Sequence, residues 1–202
     1  MIHKILLLVF FLLSLISVNA QENKFKNNRN MENSKSALRL IYPQWQGWVV
    51  TSLLPELNPD DASRGYYLGA HVLNFLAPDT GQKAVEVPVS IDINDRATEN
   101  GINSYKVILQ QNKDALSILS ENNPDRIVVL GGECSVSVDQ FTYLAAKYPD
   151  DVVIVWIDAH PDVNLPYDHC RGYHAQALTA CMGLGDKAII STLPATDGSS
   201  KS

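Results

Sequence analysis

The sequence predicts an α/β domain with a mainly parallel sheet. Three observations carry that expectation. Short apolar runs occupy 37–42, 126–130 and 151–157. Amphipathic stretches of helical length separate them, as strand–helix alternation requires. The two later runs each stop at residues suited to a site, Gly131-Gly132 and Asp158.

The run 37–42 reads as a first strand, ended by Pro43. Over 64–76, Tyr67, Leu68, His71, Val72 and Phe75 fall at helical spacing, and Pro78 closes the helix. Residues 83–91 alternate through Ala84, Val85, Val87 and Val89, a strand that Pro88 assigns to an edge or an irregular segment. The clearest helix is 104–119, with Tyr105, Ile108, Leu109, Leu116 and Leu119 on one stripe and Gln110, Gln111, Lys113 and Asp114 pointing elsewhere.

The β-branched run 126–130 is of the kind buried on both faces of a parallel sheet. Ser137 to Gln140 has capping-box spacing and opens a helix through Phe141 and Leu144 to Tyr148. Residues 151–157 form a second fully apolar strand. A helix over 172–182, a short apolar run at 188–190 and a polar tail at 196–202 complete the expectation.

The chain has 202 residues, 46% hydrophobic and 19% charged, enough apolar material for a core. A formal charge of −6 with no dense basic block argues against a nucleic-acid surface. Cys134, Cys170 and Cys181 are an odd set, so no full disulfide framework is expected. Residues 1–20 join a basic start to an apolar run and end in Val18-Asn19-Ala20, the pattern of a secretory signal peptide cut after Ala20. The alternative is an uncleaved anchor, but the run is shorter than the roughly 20 residues of a spanning helix. The expectation is an exported protein, periplasmic or secreted, with no membrane attachment after cleavage. Residues 21–36 read as a flexible polar lead-in.

Chemistry concentrates at Asp158-Ala159-His160-Pro161-Asp162, where the second buried strand ends. In extended backbone, alternate residues project to one side, so Asp158, His160 and Asp162 would present two carboxylates and an imidazole together. That set suits a divalent first-row metal such as manganese. Its position agrees with ligand sites beyond the carboxyl ends of parallel strands. The blander account is a capping acid with solvated loop polars, which explains one acid but not three alternate donors. Gly131-Gly132-Glu133-Cys134-Ser135 ends the preceding strand. Its paired glycines permit a tight turn and a close approach to a ligand.

Together these segments resemble the arginase/agmatinase/formiminoglutamase (ureohydrolase) family. Asp158-Ala159-His160-Pro161-Asp162 matches its Asp-Ala-His-x-Asp signature, and 131–135 is a degraded form of its Gly-Gly-Asp-His-Ser signature. The likeness runs from about Ala37 to Gly185, the N-terminal portion of the family domain.

The resemblance implies a three-layer α/β/α fold, with 37–202 as a partial ureohydrolase domain whose C-terminal part is missing. It implies a hydrolase of guanidino or amidine C–N bonds that uses two manganese ions to acidify water. Asp158, His160 and Asp162 would be metal ligands, Asn164 would lie beside the small guanidino substrate, and His174 would shuttle protons. Homo-oligomers, trimers or hexamers, are also implied.

Two departures matter. Cys134 stands where the family has a metal-ligating His. Either it is a thiolate ligand that moves preference toward zinc or iron, or it is a small buried residue at a turn. The family's third signature, with an Asp-x-Asp pair, is not found, since the acids after Asp162 are Asp168, Asp186 and Asp197. The sequence is therefore expected to stop before that region, leaving a weakly active or inactive chain. In the family two late strands lie between those ending at Leu130 and Ile157, so both would be left with open apolar edges. Two other classes stay open: a non-catalytic metal-binding module of this fold, and a zinc amidohydrolase of the related deacetylase branch.

Overall fold

The computed structural model describes residues 36–48, 56–94 and 96–194. The expected signal peptide, nearly all of the lead-in and the polar tail lie outside the described residues.

Strand β1 (Ala37–Tyr42) is central in a three-stranded parallel sheet, between β2 (Lys83–Glu86) and β3 (Arg126–Gly131). The register pairs Leu38 with Lys83 and Ala37 with Arg126. Leu38, Leu40 and Tyr42 point to one face, where Ala115 and Leu119 of helix α2 (Tyr105–Asn122) cover them. Full burial of one such leucine contributes about 1.5–3 kcal/mol. Arg39 points the other way and donates to the Pro78 carbonyl, just past helix α1 (Pro59–Leu76), which packs on β1 and β3. Helices thus cover both faces, and the layers follow α/β/α order.

Local chemistry sets the helix ends. Helix α1 starts earlier than the apolar spacing predicts because the Asn58 side chain accepts from the Asp60 amide at 2.9 Å, and Asp60 and Asp61 favour the first turn. Helix α2 ends at Asn123 in the left-handed conformation, φ 44°. Helix α3 (Ser137–Lys147) is preceded by a 3-10 turn, Cys134–Val136, so Val136 rather than Ser137 stands at its cap. The helix expected over 172–182 divides into a 3-10 turn, Tyr173–Gln176, and helix α4 (Ala177–Cys181). The run at 188–190 belongs to helix α5 (Lys187–Ile190). A second core joins Ile102, Tyr105 and Ile108 to Val138, Tyr173, Ala177, Ala180 and Ile189. Among the described residues, no helix is long and apolar enough to cross a membrane.

One expected element is corrected. Residues 151–157 form no strand, and Val153, Val155 and Ile157 are 86%, 73% and 92% exposed. The intervening Trp156 packs inward, its ring edge-on to Phe141 at 6.3 Å. The apolar run therefore has one covered side and, among the described residues, no partner strand. A strand exists only through a ladder, and among the described residues the outer edge of β3 is also unpaired, as the family's strand order implied for both runs. Consequently β3 is not buried on both faces as expected: Val128 is 50% exposed. The α1 stripe is likewise uncovered at Leu68, Val72 and Phe75. A groove of about 470 Å³ runs between Leu68, Val72, Leu73 and Gly131-Gly132.

Candidate metal centre

The segment after β1 shapes the site. Gln44, Trp45 and Gln46 are buried, and Gln44 reaches across to the end of β3. Glu133 turns inward to meet it. Its Oε1 accepts from Gln44 Nε2 at 2.8 Å and Ser135 Oγ at 2.6 Å, while Oε2 accepts from the Ser135 amide at 2.9 Å. Glu133 thereby caps the 3-10 turn and is held away from the open site. Burial pushes its carboxyl up, and these hydrogen bonds oppose the rise. Gln111, expected to point elsewhere on α2, is buried and donates to Gln44 Oε1 at 2.7 Å. Gly132 is needed for a reason the sequence does not show: a Cβ there would collide with the Gln44 carbonyl. The close approach is to backbone.

With Glu133 anchored, the next residue faces out of the turn. Cys134 Sγ lies 3.5 Å from Asp158 Oδ2. Asp162 completes the group: Cys134, Asp158 and Asp162 offer ligand atoms all within 4.8 Å of one another.

The alternation expected of Asp158, His160 and Asp162 does not hold, because the chain is not extended there. Asp158 Oδ1 accepts from the His160 amide at 2.9 Å and folds the segment into a bend. That bond holds the Asp158 carboxyl below its ordinary value. Asp162 then takes a left-handed conformation, φ 49°, which brings its side chain inward. The His160 side chain is left 73% exposed, its Nδ1 3.9 Å from Asp158 Oδ1, outside the three-residue group.

Asp162 is 4% exposed, and its Oδ2 has no hydrogen-bond partner among the described residues. Burial pushes this carboxyl up, and the Cys134 thiol opposes the rise by hydrogen bonding. Burial likewise pushes the Cys134 thiol far up, with Asp162 and Glu133 adding their charge. A buried, unpartnered carboxylate oxygen beside a thiol and a second carboxylate is a donor set short of positive charge. A divalent ion fits it, since the cation would invert the local electrostatics and draw the thiol to thiolate.

His174 is buried behind this group. Its Nδ1 lies 2.6 Å from the Gly47 carbonyl, which places the ring proton there and leaves Nε2 as the basic nitrogen. The Trp48 ring meets it edge-on at 4.1 Å. Burial lowers its pKa, partly opposed by the Gly47 carbonyl and by Asp162, so the ring is neutral near pH 7. Asn164 is tied by its backbone, donating to the Ala175 carbonyl at 2.9 Å, and is half-buried. Sequence reasoning missed Gln44, Trp48 and Gln111. The one available signal was the amide- and tryptophan-rich run from Gln44 to Trp48, just past the first strand.

A family model described as the Arginase family matches residues 71–193. The chain belongs to the arginase family. It is 25% identical over 131 residues to the arginase of Entamoeba histolytica, covering 61% of this chain and 43% of that relative. It is 28% identical over 99 residues to an arginase of Staphylococcus aureus strain MRSA252, covering 47% of this chain and 32% of that one. Among solved structures, the Entamoeba histolytica arginase in complex with L-ornithine superposes with a TM-score of 0.56 at 18% identity, over 79% of this chain and 53% of that one. The Bacillus caldovelox arginase gives 0.53 at 17%, over 80% and 53%. These likenesses establish an arginase-type fold. This arginase-family chain spans about half the length of these two solved arginases and less than half of the two curated relatives.

Proposed function

We propose that this chain carries the first part of a metal-dependent ureohydrolase, a hydrolase of C–N bonds in small guanidino or amidine compounds. The observation that carries the reading is the meeting of Cys134, Asp158 and Asp162 around a buried, unpartnered carboxylate oxygen, inside the segment that matches the arginase family. A guanidinium carbon is delocalised and unreactive, so its hydrolysis needs a strong nucleophile at neutral pH and neutralisation of the charge that develops. A bound divalent ion, manganese in the family's dinuclear form, supplies that acidity to water and that charge.

The chain's own residues have assignable tasks. Asp158 and Asp162 would hold the ion, and His160, exposed beside Asp158, would be the further donor for a second one. His174, neutral with Nε2 basic, accepts and returns a proton. Asn164 donates to the substrate from its backbone-anchored position. By itself the chain would be weakly active or inactive, since the one candidate group among the described residues offers three donors, a set for a single ion.

Urea release from arginine, agmatine and related guanidino compounds, with added manganese or zinc, tests the activity. Turnover near that of a complete arginase would overturn the claim of weak activity. The second reading, a metal-binding module without catalysis, is favoured by the thiol at Cys134; metal uptake without urea release under any condition selects it. Export is proposed alongside, from the pattern of residues 1–20. Mass spectrometry of secreted material should give a chain starting at Gln21, and an intact Met1 in the exported fraction would contradict cleavage.

A further inference from the structure

We infer that Cys134, Asp158 and Asp162 form a one-ion centre with a thiolate ligand, selective for a thiophilic divalent metal, zinc or iron(II), over manganese. This rests on the ureohydrolase reading and refines which ion that site takes.

The geometry is that of a single small ion. Zinc takes sulfur at about 2.3 Å and carboxylate oxygen at about 2.0 Å, and a tetrahedral angle between them sets the two donors about 3.5 Å apart. Cys134 Sγ and Asp158 Oδ2 are 3.5 Å apart. Asp162 adds the third donor within the same 4.8 Å group. Its side chain is more than nine-tenths buried beside the thiol, and its Oδ2 has no hydrogen-bond partner among the described residues. An ion held by these three donors would keep one position for water, as catalytic rather than closed structural sites do.

Neighbouring donors are accounted for elsewhere. Glu133 has both oxygens hydrogen-bonded to Gln44 and Ser135. His160 lies in solvent, beside Asp158 Oδ1, while Asp158 Oδ2 faces Cys134. The one-ion set is therefore one sulfur and two oxygens.

Ligand softness decides the metal. Manganese lies at the weak end of the divalent series and favours oxygen donors, whereas thiolate favours zinc and iron. On binding, the S–H bond of Cys134 breaks, its proton passes to solvent, and the sulfur lone pair forms the metal bond, so no electrons are transferred.

Cobalt(II) is the probe, because it substitutes for zinc and a sulfur-to-cobalt charge-transfer band reports a thiolate ligand directly. The full chain, kept reduced, should bind one cobalt with that near-ultraviolet band. Cys134→Ser should abolish the band, whereas Cys170→Ser, Cys181→Ser and His160→Ala should keep it. Equimolar zinc should displace the cobalt, and a tenfold excess of manganese should not. X-ray absorption of the zinc-loaded unmodified chain gives a second readout that needs no folded variant: one sulfur scatterer at about 2.3 Å.

Cobalt bound with no charge-transfer band, or a band that survives Cys134→Ser, overturns the thiolate assignment and leaves the ureohydrolase reading standing. Displacement by equimolar manganese overturns the selectivity alone. Failure to bind any of these ions contradicts the centre and the ureohydrolase reading together.

Discussion

Cys134 and Asp158 meet at 3.5 Å, sulfur to carboxylate oxygen, although 24 residues separate them in sequence. Two separate devices produce that meeting. Glu133, capped inward by Gln44 and Ser135, turns the next side chain outward. The Asp158 carboxylate bends its own segment by accepting from the His160 amide. Each device is local, and each can be broken alone.

Glu133→Ala should destabilise the fold by about 1–3 kcal/mol, because it strips the acceptor from the buried Gln44 amide and the Ser135 amide. Glu133→Gln keeps an acceptor oxygen and should cost less than half as much. Urea denaturation of both variants checks this. Equal losses for the two would mean that the negative charge, and not the hydrogen-bonded cap, stabilises the turn.

Asp139 is fully buried on α3, and neither carboxylate oxygen has a hydrogen-bond partner among the described residues. Burial pushes its pKa well up, with the Tyr42 hydroxyl opposing. A raised folded value means that stability is fully present below the ordinary Asp pKa of about 3.9 and is lost as pH rises through the folded value. Asp139→Asn removes that loss. The variant should therefore match the parent near pH 4 and exceed it by about 1–3 kcal/mol near pH 7.5. Denaturation midpoints at both pH values check the sign; a gain that does not grow with pH would contradict it.

Val153 and Val155 project from an apolar run that, like the outer edge of β3, is unpaired among the described residues. The isolated chain should self-associate through these surfaces. Val153→Lys with Val155→Lys should raise the concentration at which light scattering appears at least severalfold, with folding free energy unchanged within about 0.5 kcal/mol. The two lysines move the formal charge of −6 toward zero, so any gain in solubility comes from covering the edge rather than from net repulsion. Unchanged association would mean that another surface is responsible.

Much of this was legible in the sequence where local pattern and tertiary context agree. The run 37–42 carries its own stop in Pro43 and is β1 as expected; of the strand expected over 83–91 only Lys83–Glu86 forms, at an edge of the described sheet, and Pro88 lies in the irregular stretch beyond it. The strand expected at 151–157 failed because apolar periodicity reports what a segment could bury, whereas a strand needs a neighbour to bond. Spacing along an extended strand was expected to bring Asp158 and Asp162 together, but the chain is bent there. Their meeting depends on the positive φ of Asp162 and the bend at His160, which leave the imidazole in solvent. Gln111 was expected off the apolar stripe, yet it is buried because it bonds Gln44 and Gln46 across chain separations that spacing does not record.

Native mass spectrometry of the full chain against the Asp158→Ala, Asp162→Ala double variant tests the centre most directly. One divalent ion should be retained per parent chain at equimolar zinc and none in the double variant, with both proteins folded by circular dichroism. Equal metal retention in the two would contradict it.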